Sequence, residues 1–342
     1  MAIRILSIDG GGIRGILPGE ILVSLEHKLK VKSGNPDARI GEYFDLIAGT
    51  STGAVLGAAY VCPNKKGKPK FTAQEAVNIY LKEGDKVFES GTWPYFDKLK
   101  LLRGEKYSTH ELERVLKKYF GKTTLSKLLK PTCFVSYDIN KREQIIFRQH
   151  CAIVRKEDFL VRDLLRGSTA APTYFEPARI YSLPPLNKKY ALVDGGMVAS
   201  DPALCAYSEA IKFTGISGIK DMIIVSLGTG KQLKSYKYKE VKDWGIFNWT
   251  RPTIDIALNG GAQMTHYYLK QITSTVENTE YYRLQPNLYN ADPAMDNASA
   301  ENLRKLKKSG QQNAKDFDHE LDEIAFTLVN THGSHEYQQY NR

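Results

Sequence analysis

Apolar runs of strand length alternate along this chain with segments whose apolar residues return every three or four positions. Residues 3–8 (IRILSI) predict a first strand that ends at Asp9 and three glycines. Residues 16–30 then bring Ile16, Leu17, Ile21, Leu22, Leu25 and Leu29 onto one helical face. Residues 43–48 (YFDLIA) predict a second strand broken at Gly49, followed from Thr52 by a helix of small residues. Helices are expected over 73–83, 108–120 and 158–170, and a hairpin-like strand pair over 133–139 and 144–149. Further strands are expected at 190–193 and 222–227, and helices at 202–213, 254–274 and, in two pieces, 299–328. Such alternation predicts an α/β fold, a mainly parallel sheet covered by helices.

No repeat or dividing linker interrupts the pattern. A single domain over 1–342 is expected, with a core over about 1–230 and a helical extension over about 250–330 packed on it. Residues 62–71 read as a basic surface excursion and 229–253 as a long irregular stretch.

Composition narrows the classes. With 342 residues, 42% hydrophobic and 25% charged, the chain is neither disordered nor fibrous. Its longest apolar stretch, 54–62, is far short of a membrane helix, and the N-terminus reads as a strand and not as a secretory signal. Four scattered cysteines (Cys62, Cys133, Cys151, Cys205) suit reduced thiols in a cytoplasmic protein. Without a signal, the sequons at Asn248 and Asn297 read as chance matches. The net charge of +10 comes without any nucleic-acid motif, which leaves an anionic membrane or an acidic small ligand as partner, or simply solvated surface.

Three glycine-rich sites each follow an expected strand, where ligands of parallel sheets bind. Gly49-Thr50-Ser51-Thr52-Gly53 has the G-x-S-x-G form of a turn that exposes a serine nucleophile; the plainer reading makes Ser51 a helix cap. Gly10, Gly11 and Gly12, ahead of a helix, offer free amides to an anion or oxyanion. Gly10, Gly12 and Gly15 also match a dinucleotide fingerprint, with Asp37 at the ribose-acid distance, although Asp37 lies in a polar turn. Asp194-Gly195-Gly196 places a carboxylate at a strand end; by itself it equally describes a β-turn. A serine nucleophile needs a base. Of the seven histidines, only His332 would fit the order Ser, acid, His of an α/β-hydrolase. A Ser51–Asp194 dyad accounts for more of the pattern.

In these segments the chain resembles the patatin-like phospholipases. DGGGIRG (9–15) is similar to the family's oxyanion-hole loop, GTSTG (49–53) to its nucleophile elbow and DGG (194–196) to its dyad-aspartate motif. STAAPTYFEP (168–177), GMVASDPA (196–203) and SLGTG (226–230) resemble patatin segments in the same order. The resemblance implies a three-layer sandwich with Ser51 as nucleophile, Asp194 as base and the amides of Gly10, Gly11 and Gly12 as oxyanion hole. Arg14 would steady that loop, and no metal or other cofactor would be needed, so activity is expected to be calcium-independent. One departure is Ser200-Asp201, where plant patatins usually carry two asparagines, a change expected to alter hydrogen bonding near the dyad.

The implied substrates are membrane phospholipids, met by peripheral, transient association. Trp93, Trp244 and Trp249, in lysine-bearing segments, suit either a lipid interface or ordinary anchoring of long loops. The missing signal suggests a bacterial or cytosolic member. Some such members are antiphage effectors switched on by cyclic nucleotides, so a cyclic-nucleotide activator is a further expectation of the resemblance. The rival readings are a nucleotide-binding module that uses GGGIRG as a phosphate cradle, and a weakly active storage or scaffold protein.

Overall fold

The computed structural model describes residues 2–89, 105–214, 222–231 and 235–332. Its centre is one eight-stranded sheet: β1 (Ile3–Ile8), β2 (Leu46–Thr50), β3 (Thr132–Asp138), β4 (Glu143–Phe147), β5 (Ala178–Tyr181), β6 (Lys189–Asp194), β7 (Met222–Leu227) and β8 (Thr279–Leu284). The strands run in the order β5-β6-β3-β2-β1-β7-β8, with β4 also pairing β3. β3-β2-β1-β7-β8 are mutually parallel, whereas β4 and β6 pair β3 antiparallel and β5 pairs β6 antiparallel. Every residue of β1, β2 and β7 is buried, as expected for strands covered on both faces.

Successive residues of these strands serve two different cores, following the period of two along a strand. Leu6, Ile8, Ile47, Phe134, Ile223 and Val225 face one, and Ile3, Ile5, Leu46, Ala48, Met222 and Ile224 the other. Helices Ile16–Ser33, Thr52–Val61 and Ala73–Val87 cover the first face, and Ala203–Thr214 and the long helix Ile246–Ser274 cover the second. The last two helices, Ala300–Asp316 and Asp318–Asn330, pack on Ile16–Ser33. The result is helix, mixed but mostly parallel sheet, helix. The chain beyond 250 is woven into this body, supplying a strand to the sheet as well as helices to both layers.

Strand β3 fixes where the chemistry lies. Its edge pairs with β2 up to Val135 and with β6 from Ser136 onward, while β4 holds the opposite edge. Thr50 pairs with Val135 and Asp194 with Ser136. Two strands of opposite direction therefore end head to head along one edge, and the residues leaving them are neighbours.

Some elements differ from the sequence expectation. The second strand starts at Leu46, because Ile40–Tyr43 forms a helical turn. The expected irregular stretch holds a short helix, Tyr238–Val241, and the first turns of the long helix, which runs through Pro252 from Ile246. β5, β8 and the helix Gln149–Arg155 were not anticipated.

Candidate active site

The turn from β2 into the helix Thr52–Val61 is tight enough to force an unusual backbone at its apex. Ser51 adopts φ 54° and ψ −122°, a region costly for a residue with a side chain. A Cβ on Gly53 would lie 2.0 Å from the carbonyl oxygen of Ile8, and one on Gly49 2.4 Å from the backbone of Gly53. The two glycines therefore let β1, β2 and the helix start close around the serine. The Ser51 amide donates to Ser168 Oγ at 3.0 Å, and Ser168 Oγ donates to Val135 O at 2.6 Å. That second serine, in the 168–177 segment, ties the elbow to β3.

Ser51 Oγ donates to Asp194 Oδ2 at 2.6 Å. The other carboxylate oxygen accepts from the Gly196 amide at 2.7 Å. Both side chains are buried, and among the described residues no cation touches the aspartate. Burial pushes the Asp194 carboxyl up to about 6, with its two neutral hydrogen bonds pulling back part of the rise.

The glycine loop after β1 lies alongside. Its three amides are not equivalent. Gly10 N–H donates to Ser200 O at 3.0 Å, whereas no acceptor within the described residues takes the amides of Gly11 and Gly12. Gly12 has φ 59°, and the Ile13 amide that follows is given to Met295 O at 2.8 Å. Thr229 Oγ1 donates to Gly10 O at 2.6 Å, giving the 226–230 segment a holding role. Arg14 is buried, its Nε reaching Gly11 O at 3.4 Å, and desolvation lowers its pKa.

Below the loop lies a group the sequence did not announce. Arg283 of β8 donates to both carboxylate oxygens of Asp9, from Nη1 at 2.8 Å and from Nη2 at 2.5 Å. It also meets Asp201 Oδ2 at 3.0 Å. The two carboxylates raise the Arg283 pKa further, against its desolvation. Burial, with the charge of Asp201 adding to it, pushes Asp9 up to about 7 against the pull of Arg283. Asp201, the departure noted beside Ser200, thus sits in this brace and touches neither Ser51 nor Asp194.

Asp37 and His332 lie away from this point. Asp37 is exposed beyond the far end of the helix Ile16–Ser33, whose 18 residues at ~1.5 Å each separate it from the glycine loop by roughly 27 Å. His332 packs its ring on Tyr43, beside Arg4 and Lys130 at the amino ends of the strands. His266 lines the cavity and lies 3.2 Å from Tyr281 Oη, with its pKa lowered by burial. His335 and Trp93 lie outside the described residues.

Ser51, Asp194 and the loop 9–14 open onto a cavity of about 1010 Å3. A hydroxyl bonded to an uncompensated carboxylate, with two free amides beside it, has the parts for nucleophilic acyl transfer. Among the described residues, no group of three or more His, Cys, Asp and Glu side chains could hold a metal ion, and no helix is long and apolar enough to cross a membrane.

A family model described as "Patatin-like phospholipase" matches residues 6–207, which carry Ser51, Asp194 and the glycine loop. "Patatin-like protein 2" of Arabidopsis thaliana is 33% identical, over 96% of this chain and 88% of its own length. "Patatin-like protein 2" of Oryza sativa subsp. indica is 33% identical, over 90% and 83%. "Probable inactive patatin-3-Kuras 1" of Solanum tuberosum is 32% identical, over 94% and 90%, so any account of this chain's catalysis rests on its own residues. These relatives are plant patatins, not bacterial effectors. The fold and the matched segments make this chain a member of the patatin-like phospholipase family of carboxylic ester hydrolases, lipid acyl hydrolases by activity.

Proposed function

We propose that this chain is a serine lipid acyl hydrolase of the phospholipase A or lysophospholipase type, cleaving fatty-acyl esters of membrane phospholipids. The observation that carries the reading is the 2.6 Å hydrogen bond from a strained Ser51 to an aspartate that meets no cation among the described residues. Asp194 takes the hydroxyl proton as Ser51 Oγ bonds to the ester carbonyl carbon. The negative charge passes to the carbonyl oxygen, which the Gly11 and Gly12 amides receive; the Gly10 amide is already engaged by Ser200. The oxyanion then collapses, the bond to the leaving oxygen breaks, and Asp194 returns its proton to that oxygen. Water repeats the sequence on acyl-Ser51 and releases the fatty acid. A base with a pKa near 6 is ionised at neutral pH and more basic than a free carboxylate. Arg14 supports the loop through Gly11 O.

The mouth of the cavity supports peripheral docking on a phospholipid surface. Tyr236 Oη donates to Asp255, which lines the cavity, at 3.1 Å. The Tyr236 ring lies 6.0 Å from that of Trp244, itself 5.4 Å from that of Trp249. Lys237, Lys239 and Lys242, between Tyr236 and Trp244 in the sequence, are exposed, a combination suited to an anionic interface. The four free cysteines support a cytoplasmic setting. No observation supports a cyclic-nucleotide switch or an antiviral role, and neither is part of the proposal.

The test is hydrolysis of p-nitrophenyl octanoate. Ser51→Ala and Asp194→Asn, each folded, should lose at least about a thousandfold in kcat/KM. Wild-type kcat/KM should rise with pH through about 6 and level off as Asp194 ionises. Activity surviving Ser51→Ala removes the nucleophile assignment. Replacing Trp244 and Trp249 together with Ala should weaken binding to anionic liposomes by about tenfold, and unchanged binding removes the docking surface.

A further inference from the structure

The two free amides belong to consecutive glycines, which have little conformational preference of their own. Their placement is set by what the loop leans on. Upstream, Gly10 is held by Ser200 O and by Thr229, and Asp9 by Arg283. Downstream, the Ile13 amide is given to Met295 O at 2.8 Å, and a Cβ on Gly12 would lie 2.1 Å from that same oxygen. The Met295 carbonyl fills the space a side chain would take, so any shift of Met295 passes directly to Gly12.

Met295 lies between β8 and the helix Ala300–Asp316, in a segment that keeps its shape by its own bonds. Ala294 N–H donates to Asp292 Oδ1 at 2.8 Å, Asn297 Nδ2 to Asp292 Oδ2 at 2.9 Å, and Asn302 Nδ2 to Asn297 O at 2.7 Å. Asp296, the next residue after Met295, reaches outward. Its Oδ2 accepts from Lys106 Nζ and, at 2.8 Å, from Tyr107 Oη. Those two residues are in turn bonded to the 168–177 segment, Lys106 N–H donating to Thr173 O at 3.1 Å and Tyr107 N–H to Tyr174 O at 2.9 Å. That segment begins with Ser168, which accepts the Ser51 amide. Asp296 thus joins the nucleophile's side of the cavity to the oxyanion side. Burial would raise its pKa, but the bonds from Lys106 and Tyr107 leave it lowered, so Asp296 stays ionised wherever Asp194 titrates.

We propose that Asp296 is a positioning residue of the oxyanion hole: anchored by Lys106 and Tyr107, it seats the Met295 carbonyl on Ile13 and Gly12 and so keeps the Gly11 and Gly12 amides in register with Ser51. The inference rests on the hydrolase reading and adds the residue on which the placing of its two donors depends. Asp296 acts through Met295 and the loop, and its loss is felt in the transition state more than in binding. Charge reaches the carbonyl oxygen only as Ser51 attacks, so misplaced amides lower kcat and leave KM nearly unchanged.

The experiment measures kcat and KM for p-nitrophenyl octanoate and for its thiono analogue, in which sulfur replaces the carbonyl oxygen. The full chain is compared as wild type, Asp296→Ala, Asp296→Asn, Tyr107→Phe and Ser51→Ala, with a melting curve for each. Sulfur is larger than oxygen and a weaker acceptor, so a well-placed pair of amides favours the oxygen ester. In Asp296→Ala, kcat on the oxygen ester should fall by at least about tenfold with KM within about twofold, and the oxygen-to-sulfur ratio of kcat should fall by about fivefold. Asp296→Asn keeps an acceptor for the two donors and should recover most of the loss. Tyr107→Phe removes one donor and keeps the ring, so it should show a smaller fall of the same kind, and it carries the test if Asp296→Ala does not fold. An unmoved kcat in the folded variants, or equal losses on the two esters, overturns the proposal. The Ser51→Ala arm separates the two readings. Wild-type turnover in that variant overturns the hydrolase reading, whereas its silence beside an unmoved oxygen-to-sulfur ratio overturns the positioning role alone.

Discussion

Asp194 and Asp9 both stand at the carboxyl ends of strands and both are buried, yet among the described residues only one of them meets a cation. Asp194 is held by a hydroxyl and an amide, both neutral. Asp9 faces the fork of Arg283, shared with Asp201. Burial raises the proton affinity of both aspartates, but the consequences separate. Without a counter-charge, Asp194 keeps its raised affinity on the one oxygen that faces Ser51, which is what proton transfer requires. With one, Asp9 becomes a fixed joint that ties the glycine loop to β8 and, through Asp201, to the chain after β6. One carboxylate is arranged to react and the other to hold the reacting groups in register.

The largest expected effect tests the joint. Arg283→Gln leaves two buried carboxylates without their cation and should cost about 3–5 kcal/mol of stability in urea unfolding. Adding Asp201→Asn to that variant should restore part of the loss, because one uncompensated charge is removed. A cost below about 1 kcal/mol would mean the guanidinium does not brace the loop. The reactive carboxylate should respond with the opposite sign. Its folded pKa, about 6, lies above the 3.8 of an ordinary aspartate, so its ionisation costs folding stability that accrues as pH rises from 3.8 through 6. Asp194→Asn removes that cost and should stabilise the fold by up to about 3 kcal/mol at pH 8, with the gain fading as pH falls toward 4. A variant less stable than wild type at pH 8 would erase the contrast between the two centres.

The contrast also marks what was legible in the sequence. Ser51 and Asp194 stood out because each stands at a strand end beside glycines, on both sides of Ser51 and after Asp194, a local pattern set by local backbone needs. The strands β1, β2 and β7 were legible as continuous apolar runs, being buried on both faces. Arg283 was not. It lies in TEYYRL, a half-exposed edge strand with no apolar run, and its partners come from the ends of β1 and of the segment after β6. Which of three successive glycine amides is already engaged was equally hidden, since the carbonyl of Ser200 arrives at Gly10 only through the tertiary fold. The start of the long helix was misplaced because Pro252, ordinarily a boundary signal, lies inside its second turn.

The smallest expected effect lies on the reactive side alone. Ser51 is held at φ 54° and ψ −122°, where the strain of an L side chain is of order 1–3 kcal/mol. Ser51→Ala removes the hydroxyl but keeps a Cβ in that strained backbone. Ser51→Gly removes both, and glycine's extra freedom in the unfolded chain takes back about 0.5–1 kcal/mol of the relief. Ser51→Gly should therefore be the more stable variant by about 1 kcal/mol, and both should be inactive. The comparison needs only two melts at one pH, because neither variant retains a hydroxyl to bond Asp194, so that loss cancels in the difference. Equal stabilities would show that the elbow bears no strain of its own, and that the cost of the reactive centre lies wholly in the buried carboxylate. A difference of the expected size, together with the gain in Asp194→Asn, would place two separate stability costs on the pair that reacts, against the stabilising ion pairs of the brace.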